Sequence, residues 1–157
     1  MTNALIELGA KAPAFTLPRD GGGTVSLDDF AGRKVVLFFY PKASTAGCTT
    51  EARDFSALAP AFAGAGTAVL GLSKDSVKRQ ENFAAKQALT VPLLSDAEGD
   101  VCERYGVWGE KQMYGKSFLG IVRTTYLIGP DGQVARIWTK VKVAGHAAEV
   151  LAAAEAL

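Results

Sequence analysis

The residue best suited to chemistry in this sequence is Cys48, which follows an apolar run and opens a segment with helical periodicity. A cysteine in the first turn of a helix has free backbone N–H groups and the positive end of the helix dipole beside its sulfur. Both favour the thiolate, which is the nucleophilic form of cysteine. Position alone leaves two interpretations open, a reactive nucleophile and a small buried apolar side chain.

The other residues with reactive side chains are few. The chain has two cysteines, Cys48 and Cys102, and one histidine, His146. This set predicts neither a disulfide scaffold nor a metal site. A thioredoxin-type disulfide oxidoreductase requires Cys-x-x-Cys, whereas Cys48 is followed by Thr-Thr-Glu. His146 stands beside Gly145 at the start of the last predicted helix, so we expect it to be exposed or to cap that helix.

Strands that alternate with helices must position these residues. Continuous apolar runs predict buried strands, and apolar spacings of three and four predict helices. The predicted elements are a hairpin of 15–18 and 24–26, a helical turn ending at Gly32, strands 34–40, 66–73 and 91–96, helices 47–63, 75–89 and 97–106, a hairpin over 123–138 and a helix over 146–157. We expect a loop before Arg123. The order indicates one α/β domain over 1–157, with a central mixed sheet flanked by helices and an N-terminal β-hairpin.

Polar residues at the predicted helix starts suggest caps. Ser26 or Asp28 is expected to cap the short helical turn, and Ser73 or Asp75 to lie near the cap of helix 75–89.

Composition excludes several classes of protein. The chain has 157 residues and a formal charge of +1, which gives no reason to expect a nucleic-acid partner. No apolar run is long enough for a membrane-spanning helix, and the first residues lack the pattern of a signal peptide. We therefore expect a cytoplasmic protein with reduced thiols.

A resemblance to a known family emerges from the surroundings of Cys48. Pro41, Thr45 and Cys48 form the pattern P-x-x-x-T-x-x-C, within "FFYPKASTAGCTTEARDF". This stretch resembles the active site of peroxiredoxins of the bacterioferritin comigratory protein branch, also called the Q type. The segments "DSVKRQENFAAKQALTVPLLSD" and "YGVWGEKQMYGKSFLGIVRTTYLIGPDGQV" resemble the same branch in the same order. The resemblance implies a thioredoxin-like fold and reduction of hydrogen peroxide and organic hydroperoxides.

The resemblance also assigns roles to individual residues. Cys48 attacks the peroxide and becomes a sulfenic acid. Thr45 places its hydroxyl beside the sulfur, Pro41 shields the thiolate from water, and Arg123 stabilises negative charge. The backbone N–H groups of Gly47 and Cys48 complete the substrate-binding cradle.

Each of these residues also has an ordinary structural interpretation. Taken alone, Pro41 ends a strand, Thr45 caps a helix, and Arg123 lies on the surface. Glu51 in the first helical turn is interpreted as structural.

The sequence departs from its relatives at the positions where they carry a second reactive cysteine. One such position is Arg53 here, and helix 75–89 contains no cysteine. Cys102 lies beside Val101 and near Tyr105, a pattern typical of a buried apolar face. We therefore expect a one-cysteine cycle in which an external thiol such as thioredoxin, glutaredoxin or glutathione reduces the sulfenic acid.

Alternatives remain open at this point. They are a two-cysteine cycle that uses Cys102, and a peroxide sensor that passes oxidation to a partner protein. Ala46 replaces the proline that is usual between the Thr and the Gly of relatives. No cofactor is expected, and the resemblance implies a monomer.

Overall fold

The structure is a computed structural model that describes residues 4–157, apart from the side chain of Met113. Its strands are Thr16–Pro18 (β1), Thr24–Ser26 (β2), Lys34–Phe39 (β3), Thr67–Ser73 (β4), Leu93–Ser95 (β5), Trp108–Met113 (β6), Lys116–Ile121 (β7), Thr124–Ile128 (β8) and Val134–Thr139 (β9). Its helices are Ala46–Gly64 (α1), Val77–Gln87 (α2), Val101–Arg104 (α3) and His146–Ala156 (α4), with a 3₁₀ turn at Leu27–Phe30.

A mixed five-stranded sheet forms the centre of the molecule, in the order β5-β4-β3-β8-β9. Strands β3, β4 and β5 are parallel, and β8 and β9 add antiparallel to β3. Strands β1 and β2 form the N-terminal hairpin. The predicted α/β class, the mixed sheet with helices and the hairpin are confirmed, and the arrangement agrees with the thioredoxin-like fold that the resemblance implied.

The two faces of the sheet carry separate apolar cores. Side chains alternate along β3, so neighbouring residues point to opposite faces. Phe38 belongs to the core that contains Cys48 and residues of α1, α2 and α4. Phe39 belongs to the core that contains Cys102 and residues of the N-terminal hairpin. The two cysteines therefore lie on opposite sides of the central sheet.

The segment before Arg123 is a hairpin of β6 and β7, so the prediction of a loop was wrong. Gly109 pairs with Gly120, and most β7 side chains are exposed, so the sequence lacks the apolar alternation typical of a strand. The hairpin is attached to the core near its open end, where Trp108 pairs with Ile121 and packs against buried residues.

Two helix starts show where local cap signals succeed and fail. Ser26 is the N-cap of the 3₁₀ turn, as predicted. The N-cap of α2 is Ser76, whose hydroxyl accepts from the Arg79 N–H. Asp75 directly precedes it and so lies near the cap as predicted, whereas Ser73 belongs to β4. The Ser73 hydroxyl accepts from Gln80 Nε2, and the Asp75 carboxylate accepts from the Ala43 N–H.

Among residues 4–157, no helix combines the length and apolar character needed to cross a membrane. The same residues contain no group of three or more His, Cys, Asp or Glu side chains arranged to hold a metal ion.

Candidate active site

Cys48 lies in the first turn of α1, immediately after the loop that follows β3. Its side chain is 1% exposed. The first hydrogen bond of the helix runs from the Thr49 N–H to the Thr45 carbonyl at 2.9 Å. The N–H groups of Gly47 and Cys48 therefore lie ahead of the helical ladder, where they and the helix dipole favour a negative charge. The predicted position of Cys48 at a helix start is confirmed.

Arg123 lies beside the sulfur of Cys48, although the two residues are far apart in the sequence. Its Nη2 lies 3.5 Å from the Cys48 Sγ, within hydrogen-bond distance for sulfur. Strand pairing explains this proximity, because Thr124 at the start of β8 pairs with Phe39 at the end of β3. Arg123 precedes β8 and the Cys48 loop follows β3, so both lie at one edge of the sheet. The guanidinium is not a surface group, as its side chain is 16% exposed.

The second arm of the Arg123 guanidinium is held by Glu51. Nη1 donates to Glu51 Oε1 at 2.7 Å. Glu51 stands three residues after Cys48 on α1, a spacing that places both side chains on one helix face. The sequence interpretation of Glu51 as structural did not include this ion pair, although the spacing of three was available as a signal.

Burial and the neighbouring charges shift the pKa values of both Glu51 and Arg123. Glu51 is 1% exposed, and burial raises the pKa of its carboxyl to about 7, although Arg123 opposes the rise. Glu51 Oε2 has no hydrogen-bond partner within residues 4–157. Burial alone would lower the pKa of Arg123, but the Cys48 sulfur and the Glu51 carboxylate raise it above its ordinary value. The guanidinium therefore stays protonated beside the sulfur.

Gly47 provides the space that the guanidinium occupies. A Cβ atom built on Gly47 would lie 3.1 Å from Arg123 Nη2 and 3.8 Å from Cζ. Any side chain at this position would therefore press on the donor group that contacts Cys48 Sγ. Gly47 is predicted to be part of the substrate cradle, and its lack of a side chain also lets Arg123 approach the sulfur.

A second cation, Lys111, lies near enough to Arg123 and Cys48 to interact with their charges. It lies on β6, and its Nζ donates to the Ile121 carbonyl at 2.9 Å. Partial burial and the positive charge of Arg123 lower the pKa of Lys111, whereas Cys48 opposes that change. Lys111 was not among the predicted site residues, because its segment was expected to be a loop.

Thr45 and Pro41 flank the loop before Cys48. Thr45 is the N-cap residue of α1, and its exposed hydroxyl donates to the Lys42 carbonyl at 2.8 Å. No hydrogen bond joins this hydroxyl to the Cys48 sulfur within the described part of the chain. Pro41 is half-buried and directly follows Tyr40, which is fully buried. Their predicted roles in peroxide binding and shielding remain predictions.

Cys102 occupies a different environment from Cys48. It is fully buried in α3, and its backbone N–H donates to Asp96 Oδ2 at 2.8 Å. Burial first, and then the Asp96 carboxylate, raise the pKa of the Cys102 thiol well above its ordinary value. Neither cysteine forms a disulfide. The predicted buried packing of Cys102 is confirmed.

His146 is buried, so the expectation that it is exposed was wrong. It is 5% exposed, and its Nε2 lies 2.8 Å from Thr125 Oγ1. Its ring meets Phe55 and Trp138 edge-on. Burial lowers the pKa of His146 to about 4, so the ring is neutral near pH 7. The reason is tertiary, because α4 packs its first turn against α1 and the sheet.

Sequence and structure comparisons agree with one another. The AhpC/TSA family matches residues 8–137. Peroxiredoxin Bcp of Xanthomonas campestris pv. campestris is 51% identical over 156 residues, which cover 99% of this chain and 98% of that protein. Peroxiredoxin Bcp of Bacillus subtilis is 44% identical over 146 residues, which cover 93% of each protein.

Solved structures place the similarity in three dimensions. A structure of Xylella fastidiosa PrxQ has a TM-score of 0.92 at 39% identity, with 98% of each chain covered. The Xanthomonas campestris bacterioferritin comigratory protein has a TM-score of 0.87 at 50% identity, again with 98% of each chain covered. That protein was solved as trapped intermediate and ligand complexes that bear on its alkyl peroxide reduction activity.

Proposed function

This chain belongs to the AhpC/TSA family, with Bcp and peroxiredoxin Q proteins as its relatives, and from that premise we propose that Cys48 is its peroxidatic cysteine. The relatives that are 51% and 44% identical to this chain are peroxiredoxins. The chain is therefore a thiol-dependent peroxidase. The observation that supports Cys48 is the contact of 3.5 Å between its sulfur and Arg123 Nη2.

The proposed reaction is an in-line attack of the Cys48 thiolate on a hydroperoxide. Sulfur forms a bond to the terminal peroxide oxygen while the O–O bond breaks. The leaving oxygen takes a proton and departs as water or an alcohol, and the sulfur is oxidised to sulfenic acid. Hydrogen peroxide and organic hydroperoxides are the proposed substrates, consistent with the alkyl peroxide reduction studied in the Xanthomonas campestris relative.

Arg123 and the helix start act on the charge that moves during this attack. Negative charge passes from sulfur to the peroxide oxygens, so fixed donors that face both stabilise the transition state. Arg123 offers one N–H to sulfur while Glu51 fixes the other arm. In this proposal the N–H groups of Gly47 and Cys48 receive the peroxide.

Thr45 and Pro41 are proposed to shape the substrate side of the site. The Thr45 hydroxyl now donates to Lys42 and would exchange this partner for a peroxide oxygen. Pro41 has no N–H that would attract water, and its ring is proposed to shield the sulfur.

We propose that an external thiol reduces the sulfenic acid. The thiolate of the reductant attacks Cys48 sulfur, releases water and leaves a mixed disulfide, which a second thiol then cleaves. Cys102 does not support an internal step, since it lies on the other face of the sheet. Its raised pKa also leaves little thiolate for attack. Thioredoxin, glutaredoxin and glutathione are the candidate reductants.

The test is peroxide consumption with this panel of thiol donors, using wild type, Cys48→Ser and Cys102→Ser. We expect Cys48→Ser to abolish turnover with every donor and Cys102→Ser to retain most of it with the preferred donor. Loss of recycling in Cys102→Ser, together with an intramolecular disulfide in oxidised wild type, would support the two-cysteine cycle. Turnover that is poor with every donor, with a mixed disulfide to one protein, would favour the sensor.

We further propose that the chain works as one monomeric domain in the cytoplasm. Strands from both halves of the sequence share the central sheet, which supports a single folding unit. Light scattering and cell fractionation test the oligomeric state and the location.

A further inference from the structure

The loop between β3 and α1 holds an unfavourable backbone conformation just before Cys48. Ser44 has φ of 67°, in the left-handed region that side chains other than glycine rarely adopt. Such a conformation persists only where surrounding contacts impose it. The Thr45 hydroxyl supplies one contact, to the Lys42 carbonyl, but this contact lies within the loop itself.

Asp75 supplies the contact from outside the loop. Its Oδ2 accepts from the backbone N–H of Ala43 at 2.7 Å, directly before the strained Ser44. The carboxylate is largely buried, as Asp75 is 8% exposed. A charged acceptor for a backbone N–H makes a stronger hydrogen bond than a neutral one, and burial strengthens it further.

Asp75 is itself held in place by the ends of the neighbouring strands. Ser73, the last residue of β4, donates its hydroxyl to Asp75 Oδ2 at 2.7 Å. Ser95, the last residue of β5, donates to the Asp75 carbonyl at 2.6 Å. The carboxylate therefore has a fixed position relative to the sheet, and its hydrogen bond with the Ala43 N–H holds the loop at that position.

Gln80 extends the hydrogen-bond network of Asp75 and Ser73. Its Nε2 donates to Ser73 Oγ at 3.0 Å and to the Leu94 carbonyl at 2.8 Å, and its Oε1 accepts from the Tyr40 hydroxyl. Tyr40 is the residue that begins the loop. Both the first residue of the loop and Ala43 in its middle are thus connected to one buried network.

We propose that Asp75 is a positioning residue for Cys48, which holds the loop so that the first turn of α1 meets Arg123. This inference rests on the proposed function of Cys48. Arg123 is fixed from its own side by Glu51, so the contact of 3.5 Å between Nη2 and Sγ depends on the loop staying in place. Loss of the Asp75 contact releases Ala43 and lets Ser44 relax, which moves the sulfur away from the guanidinium.

The first measurement is the rate of Cys48 oxidation by hydrogen peroxide in a single turnover, with the sulfenic acid trapped and quantified by mass spectrometry. We expect Asp75→Ala to slow this reaction about tenfold, since a buried N–H loses its acceptor. Asp75→Asn keeps an oxygen acceptor for Ala43 and is expected to stay within about threefold of wild type. A rate near that of wild type in Asp75→Asn would show that Asp75 acts by positioning the loop and not through its negative charge.

Asp96→Ala is the matched control. Asp96 is also buried and accepts from two backbone N–H groups, those of Val101 at 3.2 Å and Cys102 at 2.8 Å, and both donors belong to the core on the opposite face of the sheet from Cys48. This variant is expected to lose stability in urea, as Asp75→Ala does, while its rate of Cys48 oxidation stays within about twofold of wild type. An equal loss of rate in both variants would reduce the role of Asp75 to stability alone and overturn the proposal.

The second measurement does not depend on Cys48 chemistry. Amide hydrogen exchange at Ala43 is expected to accelerate about tenfold or more in Asp75→Ala and little in Asp96→Ala, because exchange follows local opening. Unchanged exchange at Ala43 in Asp75→Ala overturns the inference. If Cys48 of the wild type fails to react with peroxide, the proposed function fails, and the exchange result alone then decides whether Asp75 holds the loop.

Discussion

The two cysteines of this protein are equally buried, yet they have opposite electrostatic surroundings. Cys48 is 1% exposed and Cys102 is 0% exposed. Cys48 stands in the first turn of a long helix with the Arg123 guanidinium at 3.5 Å. Cys102 stands on the other face of the sheet, where Asp96 accepts from its backbone N–H.

Burial does not distinguish the two cysteines, whereas the charged groups around them do. Burial raises the pKa of the Cys102 thiol, and the charged groups next to the sulfur differ between the two positions. At Cys102 the Asp96 carboxylate adds to the effect of burial, and the pKa rises. At Cys48 the Arg123 guanidinium lies 3.5 Å from the sulfur instead.

The largest expected effect is the difference in oxidation between the two thiols. With one equivalent of hydrogen peroxide, we expect Cys48 to be oxidised about a thousandfold faster than Cys102, because the thiolate is the reactive form. Peptide mapping of the trapped native protein measures both sites at once. Urea-unfolded protein is the control, and there the two rates should converge. Comparable rates in the native protein would contradict the comparison.

Replacement of Arg123 should remove most of the difference in oxidation rate between Cys48 and Cys102. We expect Arg123→Gln to slow single-turnover oxidation about 100- to 1,000-fold, the range for loss of one fixed donor at a developing charge. Stopped-flow measurement with hydrogen peroxide gives the rate.

The control for Arg123 is Arg136→Gln, which removes an exposed arginine stacked on Trp138 at 4.6 Å. This variant should react at nearly the wild-type rate. A loss of less than about threefold in Arg123→Gln would show that the guanidinium is not needed.

Glu51 should make the free energy of unfolding of the protein depend on pH. Burial raises the pKa of its carboxyl from 4.5 to about 7. The folded state therefore binds more protons than the unfolded state within this window, and stability falls as pH rises through it, by at most about 3 kcal/mol. Glu51→Gln should abolish this part of the fall.

Urea denaturation at pH 5 and pH 8 measures the effect of Glu51. Glu98→Gln, at an exposed position, is the control and should keep the pH dependence of the wild type. If Glu51→Gln shows the same fall between these two pH values as the wild type, the assignment to Glu51 is wrong.

The smallest effect is expected from Gly47→Ala. The added methyl group would meet Arg123 Nη2 at 3.1 Å, so the guanidinium must shift and the oxidation rate should drop about tenfold. Gly64→Ala is the matched control on the same helix, because a Cβ there meets nothing within 4 Å. Equal rates in the two variants would show that Arg123 tolerates the methyl group.

Local sequence patterns predicted the elements that carry the two cysteines. The apolar run of β3 and the periodicity of α1 placed Cys48 at a helix start, and Val101 and Tyr105 indicated the buried setting of Cys102. Arg123 came from the resemblance, because nothing in its immediate neighbours shows that it reaches a residue 75 positions away.

Tertiary contacts decided what the sequence did not reveal. The β6–β7 hairpin has exposed side chains and facing glycines, so no local periodicity marks it, and Lys111 went unrecognised with it. His146 is buried because the first turn of α4 packs against Phe55 of α1 and Trp138 of the sheet. Asp75 resembles a helix cap in the sequence, yet it accepts from Ala43, which is 32 positions away.

The pairing of β3 with β8 makes the chemistry depend on strand register. Phe39 pairs with Thr124, so the loop after β3 and the residue before β8 bring Cys48, the proposed nucleophile, close to Arg123. Side chains alternate between faces, so a shift of one residue would turn those of β8 to the wrong side of the sheet. Loss of peroxide reactivity would then reveal a misaligned sheet in a chain that still looks folded by its overall helix and strand content.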